Sequence, residues 1–130
     1  MYIIWYIIFG GLLMIGKQLS EIPVIFYRNS LGAEPVRDWL RSLPSDDRRT
    51  IGVDLATVQF GWPVGMPLCG ALGGGLWEAR STLPSRRIAR ILFFMHESQI
   101  VIVHGFIKQT QKTLQDELEL ARKRMKEIAK

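Results

Sequence analysis

Residues 76–107 read LWEARSTLPSRRIARILFFMHESQIVIVHGFI, and this stretch decides the fold. From Leu76 to Leu83 the side chains alternate, with Trp77, Ala79, Ser81 and Leu83 on one side and Glu78, Arg80 and Thr82 on the other. That is the period-two pattern of a strand. Pro84-Ser85-Arg86 makes a turn. Arg87–Met95, carrying Ile88, Ile91, Leu92, Phe93 and Phe94, reads as a buried strand. His96-Glu97-Ser98 turns again, and Gln99–Ile107 is the most strand-like run in the chain. Joints this short predict an antiparallel meander.

Upstream, Ile22–Tyr27 is apolar and β-rich with Pro23 near its start, which suits an edge strand. Glu34 to Leu43 spaces Val36, Trp39, Leu40 and Leu43 at three and four, with Pro35 in the first turn, and reads as a short helix. Pro44-Ser45-Asp46-Asp47 starts a second helix, whose Ile51, Leu55 and Val58 share a face and which ends near Gly61. Six glycines and two prolines between Gly61 and Gly75 predict a loop. Its Gly73-Gly74-Gly75 lacks the Lys-Ser/Thr and the following helix of a P-loop. Downstream, Gln115 to Lys130 is a charged helix with an apolar stripe of Leu118, Ala121, Met125 and Ile128. The order β-α-α-β-β-β-α predicts an α+β domain with helices on one face of a twisted sheet and the other face open.

The chain has 130 residues, 48% of them hydrophobic, which is one domain with a real core. Cys69 is the only cysteine, so no internal disulfide framework or cysteine-cluster zinc site is possible. His96 and His104 are the only histidines and leave little for a His-based metal site. Residues 1–79 hold six basic and seven acidic side chains, whereas residues 80–130 hold eleven and five. The C-terminal part thus carries the whole excess of the +5 net charge, and a phosphate-binding face belongs there. Residues 1–16 form an uncharged hydrophobic leader, with Tyr2 to Phe9 ahead of Gly10-Gly11. It is short of the ~20 residues of a spanning helix. Three readings stand for it: an upstream start-site artefact with translation opening at Met14, a weak anchor, or a core or interface element.

Basic side chains gather around the strands: Arg80, Arg86, Arg87 and Arg90, then Lys108 and Lys112. A solvated surface explains any one of them. Arg90 stands apart because it lies between Ile88 and Leu92, where a charge needs a partner or a ligand. Glu78 is its plausible structural partner, and Arg80 invites the same comparison. His104 follows Ile100 and Ile102 in alternation, as a satisfied core residue or as a group that titrates near neutrality. Trp39 and Trp77 read as core, and the Arg122-Lys123-Arg124 run with Lys126 as a solvated helix face.

Gly75-Leu76-Trp77-Glu78-Ala79-Arg80, Arg90 to Phe94, His104 to Thr113 and Glu119 to Arg124 follow in order at close spacing. Together they resemble the phage-derived HigB-like toxin family of the RelE/ParE superfamily, over about residues 22–128. The most specific part is His104-Gly105-Phe106 with Lys108, Thr110 and Lys112. Gln109 stands where that family more often has Lys, Leu114 where it has Pro, and no tyrosine follows Tyr27.

The resemblance implies a RelE-like α+β fold over residues 17–130, with two N-terminal helices packed on a small, mainly antiparallel sheet and a C-terminal helix. It implies a cytoplasmic type II toxin, a metal-independent endoribonuclease that needs no cofactor. Such a toxin cleaves mRNA on the ribosome and so inhibits translation. Its partner would be a HigA-like helix-turn-helix antitoxin, with no obligate membrane partner. By the same resemblance Arg80 and Arg90 would hold the phosphate and His104 would move a proton, while Arg86, Arg87, Lys108 and Lys112 would bind RNA. Two other functions suit the same fold: a ParE-like gyrase inhibitor without catalysis, and an inactive antitoxin-binding remnant.

Overall fold

The computed structural model describes residues 22–108 and 114–129. The hydrophobic leader at 1–16 and the segment holding Gln109 and Lys112 lie outside them. The elements run β1 (Val24–Phe26), α1 (Pro35–Ser42), α2 (Ser45–Gly61), β2 (Cys69–Gly73), β3 (Leu76–Thr82), β4 (Ile88–His96), β5 (Gln99–Ile107) and α3 (Leu114–Ala129). The five strands form a single sheet in the order β1-β5-β4-β3-β2. β3, β4 and β5 are the expected antiparallel meander, and β1 joins parallel to β5 as an edge strand.

One strand was hidden in the glycine-rich segment. Cys69–Gly73 pairs antiparallel with β3, so the predicted loop from Gly61 to Gly75 is partly sheet. Gly73, Gly74 and Gly75 all take positive φ, the conformation this tight β2–β3 hairpin demands. Composition masked the strand because the residues that make the hairpin possible are those that ordinarily mark loops.

Alternation along β4 sorts the core into two layers. Ala89, Ile91 and Phe93 join Ile100 and Ile102 under α1 and α2, which contribute Val36, Leu40, Ile51, Leu55 and Val58. Leu92 and Phe94 point the other way, with Leu76, Val101 and Val103, against Leu118, Ala121, Met125 and Ile128 of α3. The expected arrangement of helices therefore needs correcting. α1 and α2 follow β1 rather than opening the domain, and α3 lies across the face expected to be open. The apolar stripe of α3 is the cause, since it must be buried and the first face is already covered.

Local chemistry sets the helix joint. Pro35 opens α1, and Leu43 turns to extended backbone before Pro44, which disfavours helical geometry in its predecessor. α2 starts at once, with Asp46 and Asp47 in its first turn. Asp47 does more than favour the dipole. It is buried, accepts from the Ser85 hydroxyl at 3.0 Å and from Arg87 Nη2 at 3.2 Å, and ties the β3–β4 turn to α2. No helix among the described residues is long and apolar enough to cross a membrane.

Candidate functional site

Arg80 and Arg90 are directly opposed across β3 and β4, and Glu78 is opposed to Leu92 one step away on the same face. Two like charges in this register repel. Glu78 offsets the repulsion: its Oε1 lies 3.5 Å from Arg80 Nε and 3.8 Å from Arg90 Nε. Both arginines share one carboxylate, so the cluster keeps an excess positive charge. The carboxylate is held in the sheet at 9% side-chain exposure, with Arg90 at 12% and Arg80 at 36%. Arg80 is thus the more open of the pair. Neither Glu78 Oε1 nor Arg90 Nε makes a hydrogen bond among the described residues, although both atoms are buried. Arg90 Nε is a buried donor short of an acceptor, and an anion docked against the two guanidiniums supplies one.

Phe106 of β5 is opposed to Arg90, and the next side chain on this face is His104, opposed to Leu92. The alternation read from the sequence fails here. A register shift between Leu92 and Phe93 places a bulge in β5, so Val103 and His104 both turn to the α3 face while Ile100 and Ile102 stay on the other. His104 Nε2 lies 2.6 Å from Glu117 Oε1 of α3, and its ring stacks on Phe106 at 5.4 Å between centroids. Arg124 of α3 donates to the carbonyl of Val103 at 2.8 Å and lies over the Tyr27 ring, 4.9 Å from its centroid. Burial holds the Arg124 guanidinium below its usual range, a pull that Tyr27 and Glu127 oppose. Tyr27 donates to Glu127 at 2.6 Å, and that bond, with burial, raises its hydroxyl above 10.0.

The remaining basic residues divide. Arg86 is exposed in the β3–β4 turn, at φ +67°. Arg87 is half-exposed and bound to Asp47. Lys108 is exposed just past β5, its N–H bonded to Ile88 O at 2.8 Å. Lys112 is outside the described residues. The Arg122–Lys126 run is only partly a solvated face: Lys123 and Lys126 are exposed, but Arg122 donates to Gly73 O and Leu72 O and pins the β2–β3 hairpin.

Glu117 is the residue that pattern reading missed. The signal was a carboxylate four places before Ala121, on the stripe that faces the sheet. A second feature lies along the edge of β3. Past the Arg80 N–H bond to Leu68 O, an open cleft of about 650 Å³ runs between this edge and α2, with Arg80 in its wall. Among the described residues no group of three or more His, Cys, Asp or Glu gathers as metal ligands would.

A family model described as Phage derived protein Gp49-like (DUF891) matches residues 38–126, which holds every side chain of the Glu78–Arg80–Arg90 cluster together with His104 and Glu117. No curated protein matches the chain.

Proposed function

The chain belongs to the Gp49-like family of phage-derived proteins, a toxin-like family of toxin–antitoxin systems, and on that premise we propose that it is the toxin of a type II pair. Its activity is metal-independent endonucleolytic cleavage of mRNA on the ribosome, and a HigA-like helix-turn-helix antitoxin silences it. The observation that carries this reading is the pair of arginines held side by side over one shared carboxylate.

The chemistry is internal transesterification. The ribose O2′ attacks the adjacent phosphorus, the O2′–P bond forms and the P–O5′ bond breaks. One proton leaves O2′ and one reaches O5′, giving a 2′,3′-cyclic phosphate and a 5′-hydroxyl. Negative charge grows on the phosphoryl oxygens as phosphorus becomes five-coordinate. Two forked guanidiniums fixed before the substrate arrives stabilise that charge without reorganising. Glu78 is a positioning residue: it lets two like charges sit opposed without cancelling both. His104 is the proposed proton carrier, its ring oriented by Glu117 and by the stack on Phe106. Arg86, Lys108 and Lys112 contribute to RNA binding through the field of the basic C-terminal part. Arg87 contributes less, because Asp47 holds it.

The test is induction in growing cells followed by mapping of mRNA ends. New ends should appear with the wild type and vanish in Arg80→Ala. Arrested DNA supercoiling with intact mRNA would instead mark a ParE-like gyrase inhibitor, and antitoxin binding without toxicity an inactive remnant.

A further inference from the structure

We propose that the cleft between α2 and the β3 edge is a nucleobase pocket that selects guanine through Asp54. This rests on the ribonuclease reading and adds to it the residue that reads the base. At about 650 Å³ the cleft falls within the ~300–1,000 Å³ of small-molecule sites. It shares Arg80 with the phosphate cluster, so a nucleotide whose phosphate rests on Arg80 has its base within reach of the α2 wall.

The chemistry of that wall is one-sided. Thr50 donates its hydroxyl hydrogen to Asp46 O, and Thr57 donates to Val53 O, both at 3.1 Å. Each hydroxyl therefore offers only acceptor lone pairs to the cleft. Asp54, between them, is half-buried and makes no hydrogen bond or ion pair among the described residues. A carboxylate accepts and does not donate. Leu68 and Ile88 supply apolar surface for the flat faces of a ring.

An acceptor-only wall takes a base edge with adjacent donors. Guanine has that edge, its N1–H and 2-amino group lying side by side to match the two oxygens of one carboxylate. Adenine and cytosine present an amino group beside an acceptor. Uracil has a single N–H flanked by two carbonyls, which the wall repels. A good bidentate pair discriminates by about 5- to 100-fold.

The test titrates guanosine, inosine and uridine 5′-monophosphates into the full-length protein, wild type and Asp54→Asn. Guanosine monophosphate should bind about 5- to 100-fold more tightly than uridine monophosphate. Inosine monophosphate, which lacks the 2-amino group, should fall between. Asn presents an N–H where the base does, so Asp54→Asn should bring guanosine and uridine monophosphates to within about twofold. Equal affinities in the wild type, no binding of any nucleotide, or a preference that survives Asp54→Asn would overturn the proposal. Mapped mRNA ends separate its failure from that of the parent reading. Cuts without a guanine bias remove the pocket and leave the nuclease, whereas guanine-selective binding without cuts does the reverse.

Discussion

Gly105 lies flat against Trp39, so close that a Cβ built on it would stand 2.6 Å from Trp39 Cζ3 and 3.2 Å from Ile91 Cδ1. The glycine of the His104-Gly105-Phe106 segment therefore serves packing: it lets α1 seat on β5 between two side chains of the candidate site. Gly105→Ala has to push an indole out of a filled space. The expected cost is about 1–3 kcal/mol, read from the urea midpoint. Unchanged stability would mean that Trp39 is loosely held.

Glu78→Gln leaves two opposed arginines without their shared counter-charge. Stability should fall by about 1–3 kcal/mol at low salt. Sulfate should then restore more stability to the variant than to the wild type, because an anion bound to the folded state takes the place of the carboxylate. Thermal melts with and without sulfate decide it, and equal gains in both proteins would speak against an anion site.

Arg124 joins α3 to the bulge through the Val103 carbonyl. Replacing it with Met keeps much of the stem and leaves that carbonyl without its donor, at a cost of about 1–3 kcal/mol. Amide exchange should rise first in α3 and at residues 103–104, where the anchorage is lost. Exchange that rises evenly across the sheet would show that the contact is incidental.

Cys69 is 1% exposed, and burial pushes its thiol from 9.0 up to about 11, with Asp54 and Glu78 adding to the rise. The unfolded chain releases this proton near pH 9 and the folded chain only near 11, so between those values the unfolded state binds fewer protons. Stability should be flat below pH 9, fall by about 2–3 kcal/mol up to pH 11, and then level off in this contribution. Tyr27 adds a fall of the same sign above pH 10. Urea unfolding across this range should show a shallower slope in Cys69→Ala. An identical slope would place the proton elsewhere.

The strands of the meander and all three helices were legible because each carries its own period: two along Leu76–Leu83, three and four along Val36–Leu43 and Leu118–Ile128. β2 was not, because Gly70 and Gly73 read as loop and only the pairing with Glu78 and Leu76 makes a strand of them. The side of His104 was not legible either. A bulge adds a single residue, and alternation carried through it puts every later side chain on the wrong face. Arg80 and Arg90 could be singled out as charges among apolar neighbours, but their opposition is a matter of register. Asp47 and Glu117 find partners 40 and 13 residues away, which no local pattern announces.

The proposed reaction depends on Arg80 and Arg90 together stabilising a breaking phosphodiester. Its most direct measurement is the cleavage rate of a ribosome-bound mRNA by wild-type protein, Arg80→Ala and Arg90→Ala, in folded preparations of matched stability, with the chemistry of the new ends determined. The wild type should leave 2′,3′-cyclic phosphate ends, and each variant should lose about 100- to 1,000-fold in rate. Full-rate cleavage by either variant, or intact mRNA with the wild type, would contradict it.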